Sequence, residues 1–351
     1  MEKIEQLREF AYISQLTKPF TRHPEQLNRC HEADAELVLQ PDGSYLAATV
    51  DTLYEEYHLG LIRDPRTLGW TVVMQSLSDL AAVAADPIGV LLAITLPKET
   101  KTEWTEAFFA GAHEALTHHG TFCLGGDTAF GADASFSCTA LGRIPAKPHA
   151  PPVLRTGAKA GDLLYITGPL GSGNLLAISA QVDKETWKNL EAVYRPIARL
   201  REARALSSFV RCGIDTSDAL LQALAILGAL NHVGIEFNSR DDLYDIDLRK
   251  LVANIRFPLW LVNVFGLGEY ELVWAIDPTR EQSFLHEAQA QEIPVTRIGT
   301  MTAQPGIRMR EADRLFDLDV PYLLNLYGTC ASIPEYLQTL VTYDAQLRGK
   351  A

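Results

Sequence analysis

The chain has 351 residues, of which 47 % are hydrophobic and 21 % charged, with a formal net charge of −13. That length suggests two domains of ordinary size, each with enough apolar material for a core. The acidic balance argues against a nucleic-acid surface as the main function, since phosphate backbones require Lys and Arg; it suits solubility and divalent metals equally well.

A charged start, MEKIEQLREF, lacks the apolar centre of a signal peptide. The first 30 residues are polar and irregular after a short helical beginning. Ser44 to Leu53 is rich in strand formers and carries Asp51 near its end. Thr67 to Ala85 is predicted as a helix that Pro87 terminates. Ile88 to Leu96 follows as a buried strand; the apolar run around it is shorter than the roughly 20 residues a bilayer span needs. Lys101 to Gly120 reads as an amphipathic helix with a glycine stop. The turn-like LGGDT (Leu124 to Thr128) and a strand at Ser135 to Ile144 complete the first half.

Pro145 to Asp162, rich in proline and glycine, is the best linker candidate and divides the chain into domains 1–148 and 149–351. A strand at Leu163 to Leu170 then runs into the Gly-rich GPLGSGN (Gly168 to Asn174). Helices are predicted between Lys184 and Phe209 and at Ala219 to Leu227, with strands at Gly234 to Asn238 and Tyr270 to Ile276. Strands and helices mix in both halves, so the fold class is α/β or α+β. Cys30, Cys123, Cys138, Cys212 and Cys330 are scattered without a CxxC pair. That pattern supports neither a disulfide scaffold nor structural zinc, and a reducing cytoplasm is the expected setting, with no membrane partner.

Certain acidic residues stand in apolar or glycine-rich surroundings. Asp51 ends a run of small and β-branched residues, where a plain strand-end turn is the competing reading. Asp79 shares a face with Gln75 and Ser78 on an otherwise apolar helix. If buried it needs a cation, a metal or hydrogen bonds; a solvated stripe is the alternative. Asp127 follows two glycines, which permit close approach to a ligand or simply a turn. GPLGSGN offers a phosphate cradle at a helix start or an ordinary turn. In GIDTSDALLQALAIL (Gly213 to Leu227), Asp215 and Ser217 are suitable helix caps, and Asp218 suits the first turn. Capping does not use all three. Carboxylates at strand ends and helix starts are what a magnesium-nucleotide site requires.

In order, ADAELVL, VDTLYEEYH, LSDLAAVAADP, LGGDT, LRTGAKAGDLLYITG, IDTSDAL, GEYEL and IGTMT resemble the thiamine-monophosphate kinase family of the aminoimidazole ribonucleotide synthetase superfamily. The resemblance implies a two-domain fold, with an N-terminal ATP- and Mg²⁺-binding domain whose sheet forms a homodimer core, and a C-terminal α/β domain. It implies Mg²⁺ ligands at Asp34, Asp51, Asp79, Asp127 and Asp215 with Thr49 beside them. Asp51, Asp79 and Asp127 form the catalytic set. ATP contacts fall on Gly126, Arg155, Ser217 and Asp218. The acceptor contact of the family falls on His58, with Tyr322 or Tyr327 as an aromatic wall. The chain departs from the pattern at Ala33, Ser76 and Ala219. The family's substrate glutamate falls on Gly268, with Glu269 next door as a substitute.

These features imply ATP-dependent phosphoryl transfer to a small-molecule acceptor, either thiamine monophosphate or a changed one. Two alternatives stay open. One is an ATP-dependent synthetase or cyclase that activates an amide or carbamoyl oxygen as its phosphate. The other is a catalytically silent nucleotide-binding protein.

Overall fold

The structure is a computed structural model that describes residues 7–146 and 151–349. The predicted boundary at 148/149 lies outside the described residues.

In the first half, helix α1 (Arg8–Thr17) precedes strands β1 (Glu36–Leu39) and β2 (Tyr45–Leu53). The short α2 (Glu55–His58), the long α3 (Pro65–Ala82), β3 (Asp86–Pro97), α4 (Thr102–His119), β4 (Cys123–Gly131) and β5 (Ser135–Ile144) follow. The strands form one sheet in the order β1-β2-β5-β3-β4, with only the β3–β4 pair parallel.

Helix α3 is apolar on almost every side because it is enclosed on almost every side. The sheet lies beneath it, α4 beside it, and the second half of the chain against its remaining face. Asp64 caps its start by accepting from the Thr67 backbone. The helix stops at Ala82, before the predicted Pro87, which lies inside β3 instead. Ala84 turns the chain with φ +60. Gly120 ends α4 in the left-handed conformation, as the glycine stop predicts.

The second half holds β6 (Leu163–Thr167), α5 (Ser172–Val182), α6 (Lys184–Val193), α7 (Leu200–Leu206) and β7 (Val210–Asp215). Then come α8 (Leu220–Asn231), β8 (Gly234–Asn238), α9 (Ile246–Asn254), β9 (Leu272–Ile276) and α10 (Glu281–Ala290). The strands β10 (Val295–Thr302), β11 (Ile307–Glu311) and β12 (Arg314–Leu318) precede α11 (Val320–Asn325) and α12 (Ile333–Leu347). Its sheet runs β12-β11-β8-β10-β6-β9-β7. One face shares a core with α3 and the first sheet; α8 and α12 cover the other.

The proline-rich connection becomes an ordered clamp. The Arg155 backbone donates to Glu32 O at 2.8 Å, and Gly213 donates to Leu154 O at 2.9 Å. Asn231 accepts from Gly157 at 2.7 Å and donates to Arg155 O at 2.8 Å. No helix among the described residues is long and apolar enough to cross a membrane.

Candidate active site

Asp34 lies in the loop before β1, Asp79 in the last turns of α3, and Asp215 at the end of β7. They bring one carboxylate oxygen each to within 4.8 Å of one another. Sequence separation hides this convergence, which the packing of α3 between the two sheets creates. Asp51 points from β2 toward the same helix, with Asp79 and Ser76 in hydrogen-bonding reach. Thr49, two residues earlier and so on the same face of β2, donates to Asp79 at 2.5 Å. Ser78 donates to Asp215 at 2.6 Å, and Ser217 donates to the other Asp215 oxygen at 2.9 Å.

Burial raises the Asp51 carboxyl to about 6, with the Asp218 charge adding to the rise. Burial likewise pushes Asp215 to about 7, reinforced by Asp34 and only partly offset by the Ser78 hydrogen bond. Asp79 is held well above the usual carboxylate range by burial and by Asp51, Asp215 and Asp34. Several like charges in one desolvated place hold protons until a cation replaces them. One cation is built in: Arg155 donates to Asp34 at 2.9 Å, from a guanidinium with little exposure. Burial works against its charge, yet Asp34, Asp215 and Asp79 hold its pKa above the ordinary value.

Hard carboxylate oxygens, three convergent and a fourth adjoining, with three hydroxyls ordering them, fit Mg²⁺. They do not fit zinc, which favours His and Cys. A single arginine leaves most of this acid unbalanced, which is the physical sign of a cation site.

The other predicted positions divide. Asp218 opens into a cleft of about 310 Å³ whose walls include Glu55, Phe265, Leu267, Tyr327 and Tyr336. Burial and then Glu9 raise the Asp218 carboxyl to about 6. Tyr327 lines this cleft, whereas Tyr322 stacks on Tyr343 at 5.7 Å outside it. His58 is near the cleft mouth but turned toward Ala134, whose carbonyl its ring meets at 3.1 Å. Gly126 and Asp127 stand apart. LGGDT is part of β4, an edge strand, rather than a turn. Gly126 is in register with Asp51 through Leu92 and Cys138. That spacing puts it about 14 Å away across three strand steps. Asp127 pairs with Ala93 and is exposed, so within one chain the structure does not bring it to the cluster.

Two expectations need correction. Asp215 and Ser217 do not cap α8. The cap position is Ala219, which has φ +110 and no side-chain capping bond, so both polar residues face the cluster instead. The GPLGSGN turn is no free phosphate cradle. Buried Glu269 fills it, accepting from the backbone N–H groups of Gly171 at 2.6 Å and Asn174 at 3.1 Å. An internal carboxylate thus occupies the anion position at the start of α5, and Glu269 is not among the walls of the 310 Å³ cleft.

Sequence reasoning missed Ser78 as a site residue, although it shares the Asp79 face of α3. It also missed Glu56 and Tyr194, which no periodicity or motif distinguishes.

Residues 32–144 match the family described as AIR synthase related protein, N-terminal domain, and residues 159–311 match its C-terminal domain. A thiamine-monophosphate kinase of Buchnera aphidicola (subsp. Schizaphis graminum) is 30 % identical over 311 residues, covering 86 % of this chain and 93 % of that protein. The Salmonella typhimurium thiamine-monophosphate kinase is 32 % identical, covering 77 % and 83 %. The crystal structure of the Stenotrophomonas maltophilia thiamine-monophosphate kinase superposes with a TM-score of 0.67 at 25 % identity, covering 87 % and 95 %. The relatives favour neither the synthetase nor the silent-binder alternative. With both domains matched and likeness running through nearly the whole of a curated relative, the chain belongs to the thiamine-monophosphate kinase family.

Proposed function

We propose that the protein transfers the γ-phosphoryl group of ATP to thiamine monophosphate, with Mg²⁺ held by Asp34, Asp51, Asp79 and Asp215. The convergence of three carboxylates against a single arginine carries this reading. Bound Mg²⁺ would neutralise phosphate charge and help align donor with acceptor. The chain's residues supply the rest. Arg155 adds fixed positive charge beside the carboxylates and contacts the nucleotide. Thr49 and Ser78 hold Asp79 and Asp215 in fixed rotamers. The start of α8, free of any side-chain cap, presents backbone N–H groups next to Asp218. The cleft lined by Phe265, Tyr327 and Tyr336 receives the acceptor's ring and excludes water from it.

An acceptor phosphate is already ionised near neutral pH, so no strong protein base is required. Positioning and charge stabilisation account for the catalysis.

The homodimer is part of the same proposal. The outer face of the first sheet carries exposed Val50 and Leu91 in one row, and β4 is exposed along its whole length as an unpaired edge. An uncovered edge strand of that length calls for a partner. In such a dimer the exposed Asp127 would lie in the interface between the two copies.

Incubation with Mg-ATP and thiamine monophosphate, followed for ADP and thiamine diphosphate, tests the reaction. Stoichiometric formation of both supports it. ADP formed only with a different small acceptor would replace the acceptor, and tight ATP binding without turnover on any acceptor would overturn the kinase reading.

A further inference from the structure

Gly268 and Tyr194 border a small chamber that adjoins the cleft. Gly268 has φ +58, and a Cβ built on it would stand 2.2 Å from the Tyr194 hydroxyl oxygen. That hydroxyl donates to the Gly268 carbonyl at 2.9 Å, and the tyrosine is buried. No side chain at position 268 has room, so the loop leading into β9 contributes no acidic group there. Its neighbour Glu269 is committed to the start of α5.

A carboxylate reaches the same place from the other domain. Glu56 of α2 borders that chamber with Tyr194, Gly268 and Tyr270. Leu61, Ala177 and Leu267 border both this chamber and the 310 Å³ cleft, so the two adjoin. The charges that act most on Glu56 are those of Glu55, Asp218 and Asp51, all acidic. A half-buried carboxylate surrounded by like charge is costly unless a cation or strong donors approach it. Among the described residues no cationic side chain pairs with it and its own backbone N–H is the donor it has, which leaves a cationic partner for the ligand to bring. The chamber alone measures about 10 Å³. That is on the order of one water, so the carboxylate meets an edge group of a ligand whose ring lies in the larger cleft.

We propose that Glu56 recognises the acceptor, binding the N–H-bearing edge of a cationic heteroaromatic molecule where the chamber adjoins the cleft. This deepens the phosphotransfer reading and rests on it for the identity of the cleft. The acceptor then lies with its cationic ring system toward Glu56 and its phosphate toward Arg155 and the carboxylate cluster. Acceptor recognition is thereby supplied by the first domain, across the domain junction, instead of by the loop that carries Gly268.

The test uses wild type, Glu56→Gln and Glu56→Asp. Calorimetric titration with thiamine, a cation without phosphate, is expected to show binding by wild type and about tenfold weaker binding by the glutamine variant, the loss of one charge-assisted hydrogen bond. Glu56→Asp recovers part of it. With thiamine monophosphate the KM of Glu56→Gln rises by a similar factor, while kcat and the KM for Mg-ATP stay within about twofold. Thermal unfolding of the glutamine variant is unchanged or raised, because a buried unbalanced charge is removed, so misfolding does not account for the loss. Equal thiamine affinity in wild type and Glu56→Gln overturns the proposal, as does a wild type that binds no thiamine. Glu56-dependent thiamine binding without turnover of thiamine monophosphate supports the recognition role and sinks the kinase reading alone.

Discussion

Ser78 on α3 donates its hydroxyl to Asp215 at the end of β7 at 2.6 Å, and this bond ties the helix of the first domain to a strand of the second. It lies directly behind the Asp215 carboxylate of the acidic cluster. Ser78 belongs to the polar stripe of α3 that also carries Gln75 and Asp79, and its hydroxyl is committed to the Asp215 carboxylate. Ser78→Ala leaves a buried carboxylate short of one donor. The expected cost is about 1–2 kcal/mol of stability. The KM for Mg-ATP is expected to rise several-fold with little change in the KM for the acceptor. Denaturant titration and initial rates check both; an unchanged KM for Mg-ATP would reduce Ser78 to a packing residue.

The raised carboxyls give the metal-free protein a definite response to pH. Asp51 at about 6, Asp215 at about 7 and Asp79 well above its ordinary value all bind protons more tightly folded than unfolded. Their contribution to stability is complete below the ordinary carboxyl value near 4; that of Asp51 and Asp215 is lost as pH rises through about 6 to 7, and that of Asp79 is lost as pH rises through its own raised value. A divalent cation must displace those same protons, so its stabilisation grows over the same window. Thermal melts at about pH 5.5 and about pH 8 should show a larger Mg²⁺-induced rise in Tm at the higher pH. An equal rise at both would mean that Mg²⁺ binds elsewhere.

Much of this was visible in the residues, though unevenly. Asp79 was identifiable because a carboxylate among Val72, Val73, Leu77 and Leu80 violates the expected partition of polar and apolar groups. The strand at Ser135–Ile144 showed clean alternation and was placed correctly, as was the glycine stop at Gly120. By contrast, LGGDT suggests a turn or a ligand-approach loop rather than the strand β4, because Gly125 and Gly126 interrupt any strand pattern. Its pairing with β3 is a non-local effect that local propensity does not encode. The same limit hid Glu56 and the Tyr194–Gly268 contact, since both arise where two domains meet. GPLGSGN misled for a different reason. Its anion site is real, but a carboxylate nearly a hundred residues later fills it.

Ala219 supplies a stability prediction independent of the chemistry. Its φ of +110 is outside the regions an alanine adopts without strain, and the residue is buried at the head of α8. Ala219→Gly relieves strain of about 1–3 kcal/mol and incurs part of that in added unfolded-state entropy. A net gain of about 1 kcal/mol is expected, read as a higher denaturant midpoint with unchanged slope. A loss of stability would show that the alanine methyl packs well enough to outweigh its backbone strain.

The outer face of the first sheet offers the last test. Val50 is in register with Thr139 and, through it, with Leu91, so both apolar side chains stand in one row. Val50 is 63 % exposed and Leu91 37 %, and no element among the described residues covers them. Asp127 lies one row over on the same exposed face, opposite Ala93. If two such faces pack together, a charge placed at Val50 or Leu91 is buried without a partner and the dimer separates. Light scattering on Val50→Asp and Leu91→Asp should therefore report a monomer where wild type is a dimer. Both variants should keep their fold by circular dichroism, because the outer face contributes little to either core within one chain. Asp127→Asn removes charge from the same face without adding any, so it should leave the dimer intact. If it nonetheless weakens Mg-ATP binding in the dimer, Asp127 serves a nucleotide site that only the assembled pair completes; unchanged binding would remove it from the metal set.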